Sequence, residues 1–191
     1  MSKRISASDL GILLLRLLRD RSGVEAVEFA LIAPVLLAIT LGVVETSLLL
    51  YDYHLAGEAT RRGVRTAVIV APIAVLENIK NEDVVCASDT DDTVNCTGGE
   101  LESEASFNTV LASMQRIMPS LSANNLRISY AASGVASDET AGIATPLVSV
   151  ALVNVVHSFM LGDLLPGVPS EITFPPFSTT ALAPSIDVPT D

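Results

Sequence analysis

The chain has 191 residues, a formal net charge of −11, 49% hydrophobic residues and no tryptophan. Charge is unevenly spread: residues 1–23 hold five basic and two acidic groups, net +3, while residues 70–191 hold three basic and fifteen acidic groups, net −12. So acidic a C-terminal portion excludes a surface that neutralises a row of phosphates, and no nucleic-acid partner is expected.

Within residues 1–23, Gly11–Leu18 resembles the apolar core of a secretory signal. Arg16 interrupts it, however, and no small-x-small cleavage pattern precedes Arg19-Asp20-Arg21. The segment reads as a basic cytoplasmic leader that touches the membrane surface.

Phe29 to Val44 is 16 residues without a charge, and Phe29 to Tyr51 is 23 residues with one, Glu45. A bilayer core of about 30 Å takes roughly 20 apolar helical residues. The pattern predicts a transmembrane part at about 29–51, inside a helix over about 24–69. Basic residues beside a span stay cytoplasmic. The expected topology is single-pass in a bacterial inner membrane, with the N-terminus cytoplasmic and residues 70–191 periplasmic or extracellular. A helix of that length measures about 65–70 Å, roughly twice the bilayer core, so its second half must project or pack on the exterior domain. Pro34 is expected to kink or loosen it. Beyond Tyr51, apolar Leu55, Ala59 and Val64 alternate with Glu58, Arg61, Arg62 and Arg65. Glu58 stands three and four residues before two of these arginines, where helical ion pairs form on a solvated face.

Cys86 and Cys96 flank a polar loop. In an oxidising exterior they predict one disulfide, worth on the order of 2–3 kcal/mol by chain entropy; two free thiols are the alternative. Zinc would need four ligands, and His54 and His157 are distant in sequence. Asp89, Asp91, Asp92 and Asn95 offer oxygens suited to Ca²⁺, but their spacing is not that of an EF-hand, and a solvated acidic loop is the simpler reading. No cofactor is expected.

Residues 70–100 read as loop-rich, with a short helix at Pro72–Lys80. Leu101–Met118 predicts an amphipathic helix: Phe107, Val110, Leu111, Met114, Ile117 and Met118 share one face, Glu102 and Glu104 suit its first turn, and Pro119 ends it. The period then changes. Leu126–Tyr130 alternates and Leu147–Val156 is rich in β-branched residues, so both predict strands. Ser133–Thr145 is a long connection, Phe159–Phe177 a proline-rich excursion, and Ser178–Ile186 a further strand. The sum is an α+β chain: a long N-terminal transmembrane helix, then a small antiparallel sheet domain with one amphipathic helix over 70–191. The chain carries no Gly-x-Ser-x-Gly, His-Glu-x-x-His or P-loop signature. His54 and His157 read as structural or exposed, and the chain is not expected to be an enzyme.

The costly feature is Glu28, a carboxylate at the edge of the apolar run, which costs at least ~2.5 kcal/mol in a membrane unless paired. Cleavage after Gly23 would supply a partner: a positive α-amine on Val24, in reach of Glu28 of a neighbouring subunit. Pairing matters most at low dielectric. Glu45 either faces a partner helix or snorkels outward.

Gly23-Val-Glu-Ala-Val-Glu28-Phe29 resembles the class III signal of type IV pilins, in which a prepilin peptidase cuts after glycine and a glutamate stands fifth in the mature chain. Phe29 is sixth, where Flp-type pilins usually carry Tyr. The longer run, with Val-Glu-Phe-Ala-Leu-Ile-Ala-Pro and Gly-Val-Val-Glu45, is similar to the TadE-like pseudopilins of the tight-adherence (Tad/Flp) type IVb pilus system, over about residues 21–65. The resemblance implies an inner-membrane minor pseudopilin, cut between Gly23 and Val24, whose Glu28 and Phe29 serve processing and assembly. Its implied partners are the prepilin peptidase, other pilin and pseudopilin subunits and the Tad assembly machinery. The competing reading is an uncleaved single-pass anchor carrying a periplasmic binding module.

Overall fold

The computed structural model describes residues 22–76, 79, 82–89, 93–133, 143–160, 162, 167, 169–184 and 186–187. Of the leader expected over 1–23, all but the last two residues lie outside this set.

Ser22–Ala67 is one 46-residue α-helix, α1. Its leucines, alanines and glutamates favour helix, and Glu25 in the first turn and Arg65 in the last complement its dipole. Pro34 removes one hydrogen bond without ending it. The chain forms two compact units, Met1–Glu45 and Thr46–Asp191. What is described of the first is helix, with its large apolar side chains outward.

The second unit is built on a five-stranded antiparallel sheet. Its strands are β1 (Val84–Ser88), β2 (Val94–Thr97), β3 (Leu126–Ala132), β5 (Pro146–Leu152) and β8 (Phe177–Leu182), in the order β2-β1-β3-β5-β8. Two ribbons complete it: β4 (Ile143–Ala144) with β9 (Ile186–Asp187), and β6 (Val156–Ser158) with β7 (Glu171–Thr173). A second helix, α2 (Glu104–Gln115), lies between β2 and β3 in the chain.

Alternation decides which sheet face is covered. Leu126, Ile128 and Tyr130 of β3 and Val148, Val150 and Leu152 of β5 are buried, two residues apart along each strand. Residues Thr46–Ala67 of α1 supply small side chains to the same core, with Ala56, Ala59, Thr60, Val64 and Ala67 buried at helical spacing. Gly63 permits the closest approach. A Cβ there would meet the Met114 sulfur at 2.6 Å and a Val150 methyl at 3.0 Å, so α1, α2 and β5 converge on a point with no room for a side chain.

Local chemistry sets the boundaries. The helix expected from Leu101 begins at Glu104 because Ser103 caps it, its Oγ accepting from the Ser106 N–H at 3.2 Å. The strand expected over Leu147–Val156 breaks after Leu152. There Asn154 takes a φ of 54°, which asparagine tolerates better than most residues. The Asn125 amide also donates to the Val153 and Asn154 carbonyls, at 3.1 Å each.

Residues 70–100 differ most from expectation. The stretch taken as loop holds β1 and β2, a hairpin in which Cys86 faces Cys96. The described part of Pro72–Lys80 is not helical, and Ala74 instead bridges to Leu101. Gly98, at φ 83°, passes against the Asp83 carbonyl where no side chain fits. The proline-rich excursion carries β7, and the last expected strand appears as β8 and β9.

Candidate functional site

Among the described residues, α1 is the one helix long and apolar enough to cross a membrane, and none of its most apolar window is buried. Phe29 and Leu31 are each 72% exposed. A helix with apolar side chains outward all round suits lipid or the apolar faces of other helices, not water. Gly23, Val24, Glu28 and Phe29 all sit in its first two turns and are exposed. Val24 and Glu28 are four residues apart and share a helix face. The Gly23–Val24 bond lies in the first turn, whose N–H groups have no intrahelical acceptor, so opening it breaks few hydrogen bonds. Glu45, whose environment the apolar pattern left open, is only 8% exposed.

Just past the apolar run, Asp52 meets a buried histidine. Its Oδ2 lies 2.6 Å from Nδ1 of His157, whose side chain is 8% exposed. An ionised carboxylate has no proton to give, so Nδ1–H is the donor. Around this pair Tyr53, Phe174 and Phe177 contact one another edge-on, with centroids 4.8–5.9 Å apart, and Phe159 stands edge-on to the imidazole at 5.1 Å. Farther along, the Thr179 hydroxyl donates to Thr60 at 3.2 Å. These contacts tie β6 and β8 to the helix. His157 is thus buried and bonded to α1, and His54 is exposed. Asp52 escaped the sequence reading; its one signal was being the first charge after Tyr51.

Cys86 and Cys96 form a disulfide across β1 and β2, with Cα atoms 4.1 Å apart. In the adjoining turn, Asp89 accepts from the Thr93 N–H and hydroxyl and from the Asn95 amide, so its oxygens serve the turn. Asp91 and Asp92, the other calcium candidates, lie outside the described residues.

The expected Glu58–Arg61 ion pair is present at 2.7 Å. It borders a groove of about 370 Å³ lined also by Arg62, Arg65, Ile69 and Ile117. At the core, the Tyr130 hydroxyl accepts from the Ile73 N–H at 3.2 Å. Burial pushes this phenol above its usual value of 10.0; the hydrogen bond from Ile73 opposes the shift and the charge of Glu102 adds to it.

The family described as TadE-like protein matches residues 23–65, which is α1 from its edge glycine to Arg65 and less than a quarter of the chain. No curated protein and no solved structure matches it.

Proposed function

We propose that the chain is a minor pseudopilin of a Tad-type pilus, cut by a prepilin peptidase between Gly23 and Val24 and assembled through α1. The similarity to TadE-like proteins over residues 23–65 supports a pilus-associated protein with an N-terminal membrane helix. The observation that carries the finer reading is the coincidence of that match with α1, which begins with an exposed glycine and glutamate and continues as an unburied apolar shaft. Before assembly the shaft lies in lipid, N-terminus inside; afterwards it packs on the helices of other subunits. Cleavage places the Val24 ammonium where a Glu28 carboxylate of a neighbour can neutralise it, and the pair fixes axial register. The role is structural and not enzymatic, with Phe29 the next contact along the helix.

N-terminal sequencing of the protein from membranes of cells with an active prepilin peptidase tests the reading. A chain beginning at Val24 is expected, and Gly23→Ala blocks its appearance. Glu28→Ala leaves cleavage intact and abolishes incorporation into the fibre. A wild-type chain that keeps residues before Val24 in such cells overturns the proposal in favour of an uncleaved anchor.

A further inference from the structure

Residues 46–191 are acidic overall, yet their cations are gathered. Residues 46–191 hold 17 acidic and six basic groups, and three of the six are Arg61, Arg62 and Arg65. All three are exposed and line the groove of about 370 Å³. Glu58 pairs with Arg61, but Arg62 and Arg65 have no ion pair among the described residues. Ile69, 83% exposed, and Ile117 give the groove an apolar side. Such a groove suits an acidic segment that carries an apolar residue.

A lipid surface does not reach it. Arg62 and Arg65 lie 11 and 14 residues beyond Tyr51 on one helix, or roughly 16 and 21 Å at 1.5 Å per residue. The headgroup layer on each side of a bilayer is only about 5–7 Å thick.

The chain itself carries a segment of the required chemistry. Glu100-Leu-Glu-Ser-Glu104 presents three exposed carboxylates around Leu101, which is 40% exposed. The segment is held in place. The Val75 N–H donates to the Glu100 carbonyl at 2.9 Å, and the N–H groups of Glu102 and Ser103 donate to the Ile73 carbonyl at 2.8 and 3.0 Å. Glu100, Glu102 and Glu104 likewise have no ion pair among the described residues.

The two features sit at opposite ends of α2. The glutamates lead into its first turn, and Ile117 follows its last residue, Gln115, by two positions. Twelve helical residues place Ile117 about 18 Å from the glutamates, and among the described residues no ion pair joins Arg61, Arg62 or Arg65 to Glu100, Glu102 or Glu104 of the same copy. We infer that the groove of Arg61, Arg62 and Arg65 binds the Glu100–Glu104 edge of a second copy, with Leu101 against Ile69 and Ile117. The contact is head-to-tail: each bound pair keeps one free groove on one copy and one free edge on the other, so the association propagates instead of closing as a two-fold dimer. It goes beyond the proposed function and needs no cleavage at Gly23.

Charge reversal with exchange tests it, using the full chain in detergent micelles from cells lacking a prepilin peptidase. Energy transfer between donor- and acceptor-labelled chains reads association. Arg61→Glu/Arg62→Glu/Arg65→Glu and Glu100→Lys/Glu102→Lys/Glu104→Lys are each expected to weaken association about tenfold or more. An equimolar mixture of the two variants restores it, because each then offers the other the missing sign. Association of either variant alone at the wild-type level overturns the inference and directs the groove to an acidic partner other than this chain. A mixture as weak as its components also overturns it. Should a triple variant fail to fold, Arg62→Gln/Arg65→Gln and Glu102→Gln/Glu104→Gln, read the same way, are expected to weaken association, and wild-type behaviour of both is the overturning result.

Discussion

Asp52 and His157, 105 residues apart, share a hydrogen bond of 2.6 Å between Oδ2 and Nδ1. The bond fastens β6 to α1 at the first charged residue beyond the apolar run. Asp52→Ala leaves a buried imidazole N–H without its acceptor, a loss of about 1–3 kcal/mol. Asp52→Asn keeps an acceptor oxygen and should cost less. Thermal melting of the wild type and both variants checks the order; equal melting of Asp52→Ala and wild type would show that the pair is idle.

Gly63 marks where α1 comes closest to the rest of the core. A Cβ would press on the sulfur of Met114 and a methyl of Val150, both fully buried. Gly63→Val is expected to destabilise by about 1–3 kcal/mol through overpacking. Met114→Ala in the same chain opens space and should recover part of that loss, which denaturant titration of the single and double variants measures.

The disulfide joins directly opposed residues of a hairpin whose connecting turn is polar. Reduction, or Cys86→Ala with Cys96→Ala, is expected to lower stability by about 2–3 kcal/mol through the entropy of the open loop. Equal denaturant midpoints with and without reductant would contradict this.

Tyr130 predicts an alkaline limit. Its folded-state pKa is raised above 10.0, so above that pH the unfolded chain gives up the proton while the folded one keeps it. The folded state then binds more protons, and stability falls as pH rises past about 10. Tyr130→Phe removes this contribution. It also leaves the buried Ile73 N–H without an acceptor, costing about 1–3 kcal/mol at neutral pH. Denaturation midpoints at pH 8, 9.5 and 11 should show a lower but flatter profile for the variant.

Much of the architecture follows from local pattern. An apolar run longer than a bilayer core declares α1, and its charged edge at Glu28 makes Gly23 and Val24 candidates for processing. Period 3.6 marks the buried face of α2, and period 2 marks β3 and β5. The cysteine spacing announced the disulfide. These signals are readable because each depends on residues near one another in the chain.

Partnership over long sequence distances was decided elsewhere. Val84–Ser88 and Val94–Thr97 look like loop because each strand is short and hydrophilic residues lie between them. Val84–Ser88 becomes sheet through pairing with β3, forty residues on, and Val94–Thr97 through pairing with Val84–Ser88 and the cross-link. His157 found Asp52 only when β6 was laid beside α1. The arginines at 61–65 read as an ordinary solvated face until Ile117 closed a groove beside them, with the glutamates at the other end of α2. Sequence determined the long apolar helix, the buried face of α2 and the strands β3 and β5, because hydrophobic period is a local property. Tertiary structure alone decided which charges face one another, because that depends on how distant segments pack.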